Sequence, residues 1–186
     1  RVGIIDSGFN LNHPNITLEP INVTYSDSDY HGTAMAGIIG ANETSINNYS
    51  GMIPGKRIYV YEINKNKLDT DSLIDAINTV ASYDLDVINI SLSTNMPDKR
   101  LFEAIKKTIK AGTVIVASSG NSGNNVLHYP ASYKIPGIIS VGSIDSSFNI
   151  LNVSTYNDRV DILAPGENII SLGKNDKEVM KYTGTS

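Results

Sequence analysis

The sequence predicts an α/β fold, a mostly parallel β-sheet flanked by helices in three layers. Runs that are apolar on both faces, such as Asp86 to Leu92 and Thr113 to Ala117, are what a sheet covered on either side requires. Between them lie segments whose apolar residues recur at helical spacing, and strand–helix–strand alternation builds a parallel sheet through right-handed crossovers. Several runs also stop at a polar residue, at the carboxyl edge where open α/β sheets place their sites.

Taken in order, Val2 to Asp6 reads as the first strand, ending in an acid and the turn Ser7-Gly8. A carboxylate there serves equally well as a cap or turn former, so it is not yet a site. The chain up to Tyr30 reads as loop, closing on the acidic Asp27-Ser28-Asp29-Tyr30. His31 opens the helix HGTAMAG, which runs on into Ile38 and Ile39. Gly37 and Gly40 each cost that helix about 1 kcal/mol relative to Ala, which points to close packing against another element. Asn42 to Gly55 is a polar connection, and Ile58 to Ile63 alternates as a strand does. Asp69 to Ser72 offers an N-cap to a helix with Leu73, Ile74, Ile77 and Val80-Ala81 on one face. Pro97-Asp98 opens the next helix, with Leu101, Phe102, Ile105 and Ile109 inward. Lys106, Lys107 and Lys110 suit the negative end of its dipole, and Gly112 stops it. Ile138 to Gly142 and Val160 to Ala164 are further strands, and Ile169 to Leu172 with Val179 to Tyr182 makes a hairpin around Gly173 to Asp176.

No repeat or linker divides residues 1–186, which read as one domain large enough to bury a core. Fifteen Lys and Arg against 19 Asp and Glu leave a net charge of −4 with no basic stripe, so nucleic acid is not an expected partner. No apolar run approaches the roughly 20 residues that span a bilayer, and Arg1 leads at once into a strand rather than a signal peptide. The absence of cysteine excludes disulfides, Cys-based zinc sites and a thiol nucleophile. Both ends are abrupt, so the chain reads as a window on a longer protein.

The polar stops form a chemical set: Asp6 in Ile-Ile-Asp-Ser-Gly, His31 in His-Gly-Thr, Asn121 in Ser-Gly-Asn and Ser186 in Gly-Thr-Ser. A serine hydroxyl needs an adjacent base before it attacks a carbonyl. An imidazole suits that task, a buried carboxylate supports the imidazolium that forms, and an amide N–H steadies the developing oxyanion.

With these residues in hand, the sequence resembles the subtilisin-like serine proteases, the subtilases. The resemblance rests on Val2 to Gly8, His31-Gly32-Thr33 with Ala36-Gly37, Val87 to Leu92, Val114 to Asn121, Tyr129-Pro130, Ile139 to Gly142, Leu163 to Gly166 and Gly184 to Ser186, in the family's order. It implies a subtilisin-like catalytic domain that ends at the nucleophile, acting as a serine endopeptidase through an acyl-enzyme. By that resemblance Asp6 is the orienting acid, His31 the general base and Ser186 the nucleophile, while Asn121 and the Ser186 N–H form the oxyanion hole. Ser91, Leu92 and Ser93 and the facing Ser118, Ser119 and Gly120 then edge the primary specificity pocket and pair with an extended substrate.

The departures from the family pattern carry information. Ala34 stands where the family often has a second His, and Ser93 replaces a common Gly. Asn47-Asn48 sits where some relatives hold calcium, but other expected ligands would precede Arg1 or are absent, so no cofactor or metal is expected. The helix that follows the nucleophile in the family lies outside the sequence. His128, just before Tyr129-Pro130, falls at the floor of the pocket, and the entrance position is the neutral Ser122. A cation-capable floor with no acid nearby in sequence favours Glu before the scissile bond, assisted by Ser93 or Ser119, unless His128 turns to solvent. Such a preference resembles the subtilases that trim leader peptides from lantibiotic or other secreted bacterial precursors. That resemblance implies a secreted or cell-surface bacterial enzyme with a peptide or protein substrate and a propeptide outside this window. The rival readings are a catalytically silent binding module on the same fold, and a nucleotide-binding doubly wound domain. The second lacks any phosphate-cradling glycine motif.

Overall fold

The computed structural model describes residues 1–24, 30–45 and 48–186. Seven strands form one sheet: β1 (Val2–Asp6), β2 (Thr17–Asn22), β3 (Arg57–Glu62), β4 (Val87–Ile90), β5 (Val114–Ser118), β6 (Ile138–Ile144) and β7 (Ile162–Pro165). Their order is β2-β3-β1-β4-β5-β6-β7, and every described pairing is parallel. β1 lies at the switch point: the chain moves outward to β3 and β2 on one side and to β4 through β7 on the other. Strand ends at such a point diverge and leave a crevice.

The helices are α1 (His31–Gly40), α2 (Thr70–Val80) and α3 (Lys99–Lys110). α2 and α3 cover one face, where Leu73, Ile77, Leu101 and Ile105 pack on Ile5, Ile88, Ile90 and Ile115. α1 covers the other, where Ala36 joins Ile4, Ile58, Val60 and Leu172. Successive β1 residues Ile4 and Ile5 thus enter different cores, as the period of a strand dictates. α2 is started by the predicted acid: Asp69 accepts from Ser72 N at 2.7 Å, and Ser72 Oγ accepts from Asp69 N at 3.0 Å. Asp98 caps α3 by accepting from Arg100 N, without the reciprocal bond.

The expected hairpin is present as β8 (Ile169–Leu172) paired antiparallel with β9 (Val179–Tyr182). It packs against α1, and Gly37 is the point of contact: a Cβ there would lie 2.5 Å from Ser171 Oγ and 2.8 Å from Leu172 Cγ. Gly40 similarly abuts Ile58.

Two expectations are corrected. The stretch expected to be loop contains β2, an edge strand with an irregular register around Pro20. Proline lacks the ladder N–H and is tolerated at an edge, where only one side must pair. The strand expected over Val160 to Ala164 runs instead over Ile162–Pro165, because Asp161 is spent bridging to β6: its N–H donates to Ser140 O, and its carboxylate accepts from Ser140 N. The acidic approach Asp27-Ser28-Asp29 lies outside the described residues.

Candidate active site

Asp6 ends β1 and is fully buried. Its Oδ1 accepts from Ser7 N at 2.7 Å and lies 2.7 Å from His31 Nδ1. Since a carboxylate only accepts, the proton between them belongs on Nδ1, and Nε2 is left with its lone pair. Asp6 Oδ2 is buried without a hydrogen-bond partner among the described residues. The pair is braced locally. Gly32 N donates to Ser7 O at 2.7 Å, Thr33 N to Gly8 O at 3.2 Å, and Asn10 N to Thr33 Oγ1 at 2.8 Å. The turn after β1 and the first turn of α1 are therefore tied together.

Asn121 follows β5 by way of Gly120, whose φ of +105° suits glycine. Its Oδ1 accepts from Thr185 N at 2.8 Å and from Thr185 Oγ1 at 2.9 Å. A backbone N–H can only donate, so this bond fixes the amide orientation and makes Nδ2 the donating end. Ser186 is tied down by Ser91, whose hydroxyl donates to Ser186 O at 3.2 Å. His31, Ser91, Ser118, Asn121, Thr185 and Ser186 all line one cleft of about 380 Å³ at the carboxyl edge of the sheet.

The second group of predicted residues divides. Thr94 and Tyr129 exchange backbone hydrogen bonds at 2.8 and 2.9 Å, and this bridge sets Ser93 beside His128. His128 is buried rather than turned to solvent. Its Nδ1 lies 3.3 Å from Ser93 Oγ and its Nε2 lies 2.7 Å from Ser122 Oγ. Gly120 lies against the imidazole ring so closely that a Cβ would collide with it. Burial pushes the His128 pKa below its ordinary value. Ser119, by contrast, donates its hydroxyl to Thr155 O at 3.1 Å, away from the imidazole, and Leu92 packs into the α2–α3 core. Among the described residues no three His, Cys, Asp or Glu side chains converge as metal ligands would, and Asn47 of the calcium position lies outside them.

The sequence matches the subtilase family over residues 1–186. The chain belongs to the subtilases. It is 32% identical over 206 residues to the major intracellular serine protease of Bacillus subtilis, covering all of this chain and 63% of that protein. It is 34% identical over 184 residues to the minor extracellular protease Epr of Bacillus subtilis, covering 94% of this chain and 28% of the relative. The chain thus spans less than two thirds of these curated relatives. Among solved structures it is similar to the prenylagaramide maturation protease PagA, with a TM-score of 0.83, 26% identity, and coverage of 99% of this chain and 69% of that one. It is also similar to the patellamide maturation protease PatA, with a TM-score of 0.83, 27% identity, and coverage of 99% and 71%. Among the described residues no helix is long and apolar enough to cross a membrane.

Two contacts at the candidate site of this subtilase chain carry almost no signal in its sequence. One is Thr185 as the clamp on Asn121; its only signal is a hydroxyl residue between Gly184 and Ser186. The other is Ser122 as a partner of His128, legible only as a neutral residue next to Asn121. Ala34, where the family often carries a second His, is fully buried, and its carbonyl accepts from Ser171 Oγ at 2.6 Å. The position ties α1 to the hairpin that leads to Ser186.

Proposed function

We propose that the protein containing this chain is a serine endopeptidase that works through an acyl-enzyme. The single observation that carries the reading is the 2.7 Å contact between buried Asp6 and His31, at a cleft that Asn121 and Ser186 also line. In the first step His31 Nε2 takes the Ser186 proton as Oγ attacks the peptide carbonyl. Asp6 supports the imidazolium, and Asn121 Nδ2 with the Ser186 N–H donates to the oxyanion. The imidazolium then protonates the leaving amine, and the same base activates water to cleave the ester. Labelling of Ser186 by a fluorophosphonate in the full-length protein tests this. Loss of labelling in His31→Ala is the expected companion result. A properly folded protein that does not react would leave the fold as a binding module.

The finer reading is a preference for Glu before the scissile bond. Support comes from His128, buried between two hydroxyls with no carboxylate bonded to it among the described residues, a setting in which an incoming carboxylate is the natural charge partner. Peptides varied only at that position decide the matter, and equal or better cleavage after Leu or Arg sinks it. The names of PagA and PatA as maturation proteases support trimming of a peptide precursor as the role. A secreted location has the extracellular Epr behind it, while the intracellular relative pulls the other way. Detection of the protein in culture medium or in cells separates the two. The self-cleaved state described for PatA supports a propeptide removed by the enzyme itself, which mass analysis of the mature chain and of Ser186→Ala would test.

A further inference from the structure

We propose that Asn89 is a positioning residue for Ser186, acting through the Ser91 hydroxyl, a role that rests on the protease reading above and adds to it a residue from the middle of the sheet.

Asn89 is the one polar residue of β4. Ile88 and Ile90 fill the α2–α3 core, so Asn89 faces the other side of the sheet. Its register partners there are Ile4 of β1, which enters the α1 core, and Val116 of β5. An amide between two aliphatic residues in a central strand is a poor strand former and costs free energy unless it is hydrogen-bonded. Asn89 also lines the cleft that holds His31, Ser91 and Ser186. Its side chain makes one hydrogen bond among the described residues, from Nδ2 to Ser91 Oγ at 3.1 Å.

The direction of that bond is set by the next one. Ser91 Oγ donates its only proton to Ser186 O at 3.2 Å, since a carbonyl can only accept. Toward Asn89 the hydroxyl is therefore an acceptor, and the amide presents Nδ2. The three groups form a one-way chain, Asn89 N–H to Ser91 O–H to Ser186 C=O, running from the sheet to the nucleophile. Accepting from Asn89 steers the proton of the buried Ser91 hydroxyl toward Ser186 and makes it a stronger donor.

Ser186 is held on its other flank as well. Thr185 donates from N and Oγ1 to Asn121 Oδ1 at 2.8 and 2.9 Å, and its Oγ1 accepts from Gly120 N at 3.2 Å. The residue before the nucleophile is thus pinned at the end of β5, and the nucleophile's own carbonyl is pinned at the end of β4. Anchoring both flanks restricts φ and ψ of Ser186, and so the places of the N–H and Cβ from which the oxyanion hole and the attacking group are built.

The test uses the full-length protein, a peptide anilide that reports kcat and KM separately, and the rate at which a fluorophosphonate labels Ser186. Asn89→Leu keeps the volume and removes the donor. It should lower kcat and the labelling rate by about three- to tenfold, as the loss of one neutral hydrogen bond allows, with KM within about twofold. Ser91→Ala should lose at least as much. Adding Asn89→Leu to Ser91→Ala should then change nothing, because the amide acts only through the hydroxyl. The same loss from Asn89→Leu with and without that hydroxyl overturns the proposal, as does an unchanged kcat or a change confined to KM. If Asn89→Leu does not fold, Asn89→Asp, equal in size, carries the test at about pH 8, where its carboxylate is ionised. A carboxylate only accepts, so it draws the Ser91 proton away from Ser186 O; kcat should fall at least about tenfold, and full kcat overturns the role. If the unmodified protein neither cleaves the anilide nor labels, the protease reading has failed and the positioning role falls with it. Labelling of the unmodified protein at a rate that Asn89→Leu matches removes Asn89 alone.

Discussion

Replacing Gly37 by Ala probes the joint between α1, which carries His31, and the hairpin that leads to Ser186. A Cβ at this position would lie 2.5 Å from Ser171 Oγ, 2.8 Å from Leu172 Cγ and 3.2 Å from Leu172 Cβ. Both neighbours are fully buried, and Ser171 is held by its bond to Ala34 O at 2.6 Å, so neither is a flexible surface tip. Helix propensity favours the substitution by about 1 kcal/mol. Overpacking opposes it by about 1–3 kcal/mol, and a displaced buried hydroxyl adds about 1–3 kcal/mol more. The balance is a destabilisation of about 1–5 kcal/mol, read as a lower urea midpoint at unchanged m-value in the full-length protein. Activity should fall as well, since a misplacement of about 1 Å between reacting groups is enough to cost about 10²-fold. Gly112→Ala is the contrast. Gly112 has φ +104° with nothing within 4 Å of a Cβ, so only backbone strain remains, and the loss should be about 1 kcal/mol without an effect on kcat. A midpoint for Gly37→Ala equal to or above that of the unchanged protein would refute the idea that close packing requires this glycine.

Asn121→Ala should lower kcat by about 10²–10³-fold with little change in KM, the loss known for such a donor in subtilisin itself; an unchanged kcat in steady-state assays would remove Asn121 from the oxyanion hole. Burial holds the His128 pKa down, so the imidazole is neutral in the free enzyme near pH 7, whereas a substrate carboxylate favours its charged form. The ratio of kcat/KM for Glu over Leu peptides should therefore rise as the assay moves from about pH 8 to about pH 6, the ratio cancelling the titration of the shared base. A flat or falling ratio separates His128 from substrate recognition. His13 is buried, accepts from Asn15 N through Nδ1, and has its pKa lowered by burial in spite of the nearby Asp176 carboxylate and Asn175 carbonyl. The unfolded chain then takes up the proton first as pH falls below about 6.5, so stability is full above that value and declines beneath it. Urea midpoints at several pH values should show this slope reduced in His13→Gln, and an undiminished slope would assign it to other groups. The lowered carboxyls Asp69 and Asp98, each held by hydrogen bonds with Ser72 and Arg100 respectively, act in the same direction, but only below about pH 4.

Much of the architecture was legible because its signals are local. The Asp69–Ser72 cap, the apolar spacing from Leu73 to Val80 and the doubly apolar run at β4 each report on a few neighbouring residues, and the elements stand where those signals put them. β2 was hidden because an edge strand has only one partner and one buried side, and Pro20 argues against a strand when read alone. β7 started late because Asp161 is claimed by a contact with Ser140 that no local pattern announces.

From the sequence alone came the kinds of group available to the site and their order along the chain, Asp6, His31, Asn121 and Ser186, together with the strands and turns on which each is carried. Only the tertiary structure decided which of them touch. Asp6 meets His31 across 25 residues and Asn121 grips Thr185 across 64, while Ser93 and Ser122 enclose His128. The physical reason is that strand order is not sequence order. β1 comes first along the chain yet sits between β3 and β4, so the ends of distant segments converge there through packing on two cores rather than through any propensity of their own.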